Sequence, residues 1–125
     1  MVSQWCQAND FMVGSIEDYP CVQDYKRATT WIFNAPKGLP KGVCQQGKIA
    51  VRKTKHPIAK ALCDQVGPLI STSANRQGNP PAMSTKEVLD IFPAGLIAAC
   101  IEGDVGGEER PSQIIDAMTG RIYRH

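Results

Sequence analysis

The chain has 125 residues, a length that fits one domain with a buried core and is short for two. Hydrophobic residues make up 42% and charged residues 21%, with a formal net charge of +2, which is typical of a soluble globular protein and too weakly basic to indicate nucleic-acid binding by itself. No apolar run is long enough to cross a membrane and no basic-then-apolar leader opens the sequence, so we predict a cytoplasmic protein. The sequence leaves open a local basic patch, which would be formed by Arg52, Lys53, Lys55 and Lys60.

The five cysteines are widely spaced and form no C-x-x-C pair, so they indicate neither a disulfide framework nor a zinc site. We predict free thiols. The only histidines, His56 and His125, have no acidic or thiol cluster at ligand spacing, so no metal site made by side chains alone is predicted. The nucleophile pattern G-x-S-x-G is absent, and no catalytic residue is identified.

The first regular element in chain order is a strand at Thr29 to Phe33, which is β-branched and aromatic and contains Trp31, a predicted core residue. A second strand is predicted from Lys48 to Arg52. Pro57 favours the first turn of a helix that Gly67 ends, with one buried stripe along it. That stripe is formed by Ile58, Ala61, Leu62 and Val66.

A third strand is predicted from Pro68 to Thr72, so that residues 49–72 have the order strand, helix, strand of a βαβ-like unit. Such a unit favours a parallel pair with a ligand at the carboxyl ends of its strands. We therefore expect Arg52 to lie beside the run Ser71-Thr72-Ser73-Ala74-Asn75. The alternative is that Arg52 is a solvated charge at a strand end.

The run from Ser71 to Asn75 places hydroxyls and an amide where an apolar strand ends, which is typical of a ligand site in a loop. The same residue types also make ordinary turns, and the pattern alone leaves both interpretations open.

The second half of the chain begins with Ser84 to Glu87, which has the form of a capping box before a helix through Phe92. Leu96 to Ile101 is apolar enough to predict a buried strand. Glu102 to Pro111 is a glycine-rich charged loop and only a weak signal for phosphate binding, because acidic residues surround its glycines. Ser112 to Arg124 predicts a terminal hairpin.

Several stretches of this sequence, taken in order, resemble the YrdC-like family of L-threonylcarbamoyladenylate synthases, most closely its short bacterial form. Together they cover residues 29–125 of the chain. The stretches are Thr30 to Phe33 with Ala35 to Pro40, Ile49 to Arg52 with His56-Pro57, Ser71 to Asn75 with Gly78 to Pro81, and Gly106-Gly107 with Arg110 to Ile114 and Asp116 to Gly120.

The resemblance implies an α/β fold, a twisted mixed β-sheet with flanking helices of the YrdC/RibB-like type, as a single domain over residues 1–125. It implies a nucleotidyltransferase that makes threonylcarbamoyl-AMP and pyrophosphate from L-threonine, bicarbonate and ATP, with Mg²⁺ bound through the nucleotide phosphates. The product serves threonylcarbamoyladenosine modification of tRNA, so tRNA or the tRNA-modifying transferase complex is an implied partner. The residues implied to bind substrate or nucleotide are Arg52, Ser71, Ser73, Asn75 and Ser112.

The sequence also departs from the family's pattern. It has neither the proline-threonine-glutamate strand end nor the Lys-x-Arg motif of the family's amino-terminal portion, and Arg110 stands where the late motif usually has asparagine. We therefore expect a domain truncated at its amino-terminal side, in which the cations of that portion are missing. The alternative function is a non-catalytic nucleotide- or RNA-binding remnant of the same family.

Overall fold

The computed structural model describes residues 1–107 and 110–125, and these divide into two compact units. The first unit comprises Met1–Ile70 and Arg110–His125, and the second comprises Ser71–Glu109. Within the described residues, no helix combines the length and the apolar character needed to span a membrane. The single domain expected from the resemblance stays a prediction.

The first unit is built on a mixed sheet with the order β2-β1-β3-β4. Strand β1 pairs antiparallel with β2 and parallel with β3, and β3 pairs antiparallel with β4. The α/β class with a mixed sheet and flanking helices is thereby confirmed, as is the terminal hairpin. The strands are β1 (Thr29–Asn34), β2 (Lys48–Val51), β3 (Gln113–Asp116) and β4 (Ile122–Arg124).

The core lies on one face of this sheet. Burial alternates along β1, so that Trp31 and Phe33 are almost fully buried while their neighbours along the strand are only partly covered. Tyr19 packs edge-on against Phe33 with 4.8 Å between ring centroids, and its hydroxyl donates to the carbonyl of Val13 at 2.7 Å. Trp31 is 2% exposed, which confirms its predicted place in the core.

Residues before β1 cover this core. Two 3-10 helices, Trp5–Phe11 and Ile16–Asp18, supply much of the covering surface, and Val2 forms an isolated bridge with Lys53. The rings of Trp5 and Phe33 form a T-shaped pair with 5.7 Å between their centroids.

Helix α1 (Pro57–Val66) begins at the predicted proline and ends at Gly67, whose φ of 85° suits glycine. The predicted buried stripe is partly wrong. Cys63 is the fully buried residue of this helix, whereas Val66 is 63% exposed. Helical periodicity marks an apolar face, but the packing against the helix decides which of its residues are covered.

Helix α2 (Thr85–Ile91) begins where the cap was predicted, with the amide of Glu87 donating to the Ser84 hydroxyl at 3.2 Å. A capping box also predicts that the Glu87 carboxylate accepts from the amide of Ser84. It accepts instead from the amide of Met83, at 2.7 Å.

The strands predicted at residues 68–72 and 96–101 are wrong, since neither segment has regular secondary structure. An apolar run becomes a strand only when another strand pairs with it, and neither segment pairs with a strand in the described residues. The βαβ-like unit is therefore not formed. The sheet's parallel pair is instead β1 with β3, and β2 lies antiparallel to β1.

Candidate functional site

The residues predicted to bind ligand fall in both units. Arg52 and Ser112 belong to the first unit, and Ser71, Ser73 and Asn75 belong to the second. The βαβ geometry that predicted Arg52 beside the Ser71–Asn75 run is absent, so their proximity stays a prediction that rests on the resemblance.

We call the face of the sheet opposite the core the outer face. Thr30 of β1 lies on the outer face, because its neighbour Trp31 and the next alternate residue Phe33 point into the core. Trp31 pairs with Val51, so the same register continued by one residue sets Arg52 opposite Thr30. On the other side of β1, the carbonyl of Ala28 accepts from the amide of Gln113, so Ser112 also lies near the start of β1. Thr30 and Ser112 therefore meet at one end of the outer face, and the continued register sets Arg52, the residue after β2, at the same end.

Ser112 is held by contacts from two strands. Its hydroxyl lies 2.7 Å from that of Thr30. The Arg124 guanidinium donates to the Ser112 carbonyl from Nε at 2.9 Å and from Nη2 at 2.6 Å, and Nη2 lies 3.3 Å from the Ser112 hydroxyl. A serine fixed in this way has a defined direction for a hydrogen bond to a ligand.

Thr30 and Arg124 are residues of the candidate site that the sequence prediction missed. The sequence contained a signal for each residue. Thr30 is the first residue of a stretch that resembles the family, and the predicted terminal hairpin brings β4, with Arg124, alongside β3. What the pattern lacked was the register, in which Ile114 pairs with Arg124.

Arg52 supplies positive charge to this part of the outer face. Its backbone carbonyl accepts from the amide of Val2 at 2.9 Å, which fixes the residue next to the sheet, and its Nη2 lies 3.7 Å from the sulfur of Met1. Within the described residues, no carboxylate forms an ion pair with Arg52. Its guanidinium is therefore available to an anionic ligand.

The other members of the possible basic patch have partners. Lys53 pairs with Asp24 at 3.0 Å, and Lys60 pairs with Asp64 at 2.8 Å. Lys55 donates to the carbonyl of Tyr25 at 2.7 Å. The ion pairs reduce the field that Lys53 and Lys60 present to a ligand, whereas the bond from Lys55 to a neutral carbonyl leaves its charge uncompensated.

Asp116 is a buried carboxylate at the far end of β3 from Ser112. Burial alone raises the pKa of Asp116, but the amides of Thr119 and Met118, each 2.9 Å from Oδ1, together with the charge of Lys48, hold it below its ordinary value. Lys48 lies 3.6 Å away across β1. The charge is therefore internally compensated and stabilises the turn between β3 and β4.

In the second unit, Asn75 shapes the loop that follows Ser71–Ser73. Its side-chain nitrogen donates to the carbonyl of Asn79 at 3.0 Å and to that of Arg76 at 3.1 Å. The carbonyl of Ala74 accepts from the amide of Ala82 at 2.8 Å, which closes the loop at its base. The side chains of Ser71 and Ser73 are exposed, and the oxygen of the Asn75 amide remains as an acceptor.

The glycine-rich loop lines an open cavity of about 780 Å³ in the second unit. Gly106 and Gly107 have φ angles of 80° and 69°, a conformation that favours glycine. Glu102 and Asp104 also line the cavity and oppose an anion there. Two further residues of this predicted loop, Glu108 and Glu109, lie outside the described residues.

The thiols of all five cysteines are free, as predicted. Among residues 1–107 and 110–125, no group of three or more His, Cys, Asp or Glu side chains is arranged to hold a metal ion.

Comparison with known proteins identifies the family. The family model for the Sua5, YciO and YrdC proteins, described as "Telomere recombination", matches residues 2–125. The chain belongs to the Sua5/YciO/YrdC family. This family assignment confirms the resemblance drawn from the sequence.

Three bacterial relatives of this family member are each named threonylcarbamoyl-AMP synthase. The protein from Coxiella burnetii (strain RSA 493) is 44% identical over 97 residues, which are 76% of this chain and 52% of the relative. That from Photorhabdus laumondii is 43% identical over 97 residues, or 76% of this chain and 50% of the relative. That from Escherichia coli (strain K12) is 36% identical over 118 residues, or 93% of this chain and 61% of the relative.

The chain thus spans between half and about three fifths of the length of the curated relatives that it matches. The aligned residues make up most of this chain, but a large part of each relative lies outside the alignment.

Proposed function

We propose that this chain acts in the synthesis of threonylcarbamoyl-AMP from L-threonine, bicarbonate and ATP. The observation that carries the proposal is the family match over residues 2–125, supported by relatives of 36–44% identity that are named for this product. The chemistry is that of a nucleotidyltransferase. Its product would supply the threonylcarbamoyl group for the modification of tRNA, with tRNA or the tRNA-modifying transferase complex as the downstream partner in the cytoplasm.

The reaction sets clear demands on the site. Threonine and bicarbonate first give threonylcarbamate with loss of water. A threonylcarbamate oxygen then attacks the α-phosphorus of ATP, a new P–O bond forms, the bond from the α-phosphorus to the bridging oxygen breaks, and pyrophosphate leaves. The two anions must be held in line for the attack. Cationic and hydrogen-bonding groups of the protein can do this by binding their charges, and no protein nucleophile is needed.

The outer face of the first unit offers groups of this kind. Arg52 has a guanidinium without an ion-pair partner in the described residues, which suits a phosphate or carboxylate oxygen. We assign Ser112 to orient the bound nucleotide, because Thr30 and Arg124 fix its position.

In the second unit, the proposed ligand groups are Ser71, Ser73 and the amide oxygen of Asn75. The Asn75 nitrogen donates to the carbonyls of Arg76 and Asn79 and so shapes the loop, and Ser71 and Ser73 are exposed. We assign these groups to the nucleotide and threonyl moieties. Mg²⁺ would arrive as the MgATP complex and be held by the phosphate oxygens.

A second candidate function is nucleotide or RNA binding without catalysis. The observation that favours it is the presence of Ser73 and Asn75 in a sequence that contains no Lys-x-Arg motif. The two candidates use the same ligand-binding residues and differ in turnover.

The test is the release of pyrophosphate from MgATP in the presence of both threonine and bicarbonate. Synthesis predicts release that stops when either small substrate is omitted and that falls in Ser112→Ala and Asn75→Ala. Lys41→Ala, which removes an exposed cation beyond the opposite end of β1, serves as the control. Nucleotide binding by calorimetry without such release would reject synthesis and support the binding-only function.

A further inference from the structure

Arg27 is a cation that none of the stretches resembling the family includes, since the first of them begins at Thr30. It precedes β1 and is partly exposed. Its Nη2 donates to the carbonyl of Pro111 at 3.2 Å, which is its one side-chain bond to the described part of the chain. A guanidinium has several N–H donors, so most of those on Arg27 are available to a ligand.

Arg27 and Arg124 together flank the backbone of Ser112. The carbonyl of Pro111 accepts from Arg27, and the next carbonyl, that of Ser112, accepts from Arg124. Because β3 lies between β1 and β4, one guanidinium arrives from the β1 side and the other from the β4 side. The serine that we assign to the nucleotide therefore has a guanidinium on each side.

The charges of these groups are not compensated. Both guanidinia bind neutral carbonyls, which accept a hydrogen bond but do not cancel a positive charge. In residues 1–107 and 110–125, no ion pair includes Arg27, Arg52 or Arg124. The first unit as a whole contains 12 Lys and Arg against six Asp and Glu, a formal net charge of +6. Like charges grouped without counter-charges favour the binding of an anion.

The number and spread of these cations indicate the class of anion. They belong to, or adjoin, three strands of the sheet, whose neighbours are about 4.8 Å apart. A carboxylate or bicarbonate carries one charge and occupies one guanidinium fork. A pyrophosphoryl group carries several charges on successive phosphates, so it can meet several guanidinia at once.

We propose that Arg27 binds the pyrophosphoryl group of ATP, with Arg52 and Arg124 contributing positive charge at the same end of the sheet. This assignment rests on the proposed nucleotidyltransferase function, in which pyrophosphate is the leaving group. Arg27 thus holds the part of the nucleotide that departs, while Ser112 orients the part that remains in the product.

The experiment is calorimetric titration of magnesium pyrophosphate, and separately of AMP, into the full chain. Arg27→Gln retains a donor for the Pro111 carbonyl and removes the charge, and Lys41→Gln removes an exposed cation beyond the opposite end of β1. In Arg27→Gln we expect the dissociation constant of pyrophosphate to rise at least about tenfold and that of AMP to change less than about twofold. Lys41→Gln is expected to leave both constants nearly unchanged.

Salt separates a charge contact from a displaced Ser112. Screening weakens an exposed charge contact, so the difference between the wild type and Arg27→Gln should shrink as salt is added. A difference that is independent of salt would indicate a structural role and reject the contact. Circular dichroism reports whether each variant folds. If Arg27→Gln is unfolded, Arg27→Lys is used instead, and we expect a several-fold loss of pyrophosphate affinity because a single ammonium replaces the fork.

Three further results would overturn the proposal. They are no binding of pyrophosphate by the wild type, equal weakening in Arg27→Gln and Lys41→Gln, and equal weakening of pyrophosphate and AMP in Arg27→Gln. The phosphates of RNA share this chemistry, so a single-stranded RNA oligonucleotide is titrated as well. A loss of RNA binding in Arg27→Gln with pyrophosphate binding unchanged would assign Arg27 to nucleic acid and reject the proposal.

The titrations require no turnover, so their failure is distinct from failure of the proposed synthesis. A chain that binds pyrophosphate through Arg27 but releases none from ATP would retain this assignment and reject synthesis. A chain that releases pyrophosphate from ATP, but binds it equally well in Arg27→Gln, would retain synthesis and reject this assignment.

Discussion

Replacing Asp116 separates the two ways in which this buried carboxylate can stabilise the fold. Its Oδ1 accepts from the amides of Met118 and Thr119 at 2.9 Å, while Lys48 lies 3.6 Å from Oδ2. A hydrogen bond to a charged group contributes about 1.5–3 kcal/mol, against about 1 kcal/mol for a neutral one. Asp116→Asn keeps an acceptor for both amides, so we expect a loss of about 1–2 kcal/mol. Asp116→Ala removes the acceptor, and we expect about 3–4 kcal/mol.

The assay is urea unfolding followed by circular dichroism, with the slope of free energy against urea used to verify that the unfolded state is unchanged. Asp24→Asn is the matched control, because Asp24 makes an ion pair at the surface, where the expected loss is below about 1 kcal/mol. Equal losses for Asp116→Asn and Asp116→Ala would refute the primary role of the two amide bonds.

The pH dependence gives an independent check on Asp116. Its folded pKa lies below the ordinary value of 3.8, so its contribution to stability is present above that value and is lost as the pH falls through the folded pKa. The difference in unfolding free energy between the wild type and Asp116→Asn should therefore shrink as the pH falls below 3.8. A difference that stays constant or grows on acidification would contradict the assignment.

Three further substitutions test the core and the site. Trp31→Ala should destabilise the chain by about 3–5 kcal/mol in thermal or urea unfolding, because Trp31 is 2% exposed, and a loss below about 1 kcal/mol would contradict its core position. Tyr19→Phe should cost about 1 kcal/mol in the same assay through loss of the bond to the Val13 carbonyl, and unchanged stability would argue against that bond. Arg124→Lys keeps the charge but not the paired donors on the Ser112 carbonyl, so MgATP binding by calorimetry should weaken several-fold. Unchanged binding would show that charge alone matters.

Elements with local signals were predicted well from the sequence. The β-branched and aromatic run at β1, the proline that opens α1 and the serine that caps α2 each act within a few residues of the element they define. The two apolar runs at 68–72 and 96–101 carry the same composition as strands but depend on distant partners. Composition records the tendency to pair and does not specify whether a partner is present.

The candidate site shows the same division. The family resemblance identified Ser112 and Arg52, but the support of Ser112 by Thr30 and Arg124 depends on contacts 82 residues apart in one case and on hairpin register in the other. No local pattern in the sequence specifies that register. Conversely, the prediction that placed Arg52 beside Ser71–Asn75 relied on a βαβ connection that the sheet does not contain.

The central claim, that Arg52 on the outer face contacts a nucleotide, is tested most directly by calorimetric titration of MgATP into the wild type, Arg52→Ala and Lys41→Ala. A charge-assisted contact of about 1.5–3 kcal/mol predicts a dissociation constant at least about tenfold higher in Arg52→Ala and nearly unchanged in Lys41→Ala. Equal weakening in both variants, an unchanged constant in Arg52→Ala, or no binding by the wild type would contradict the account.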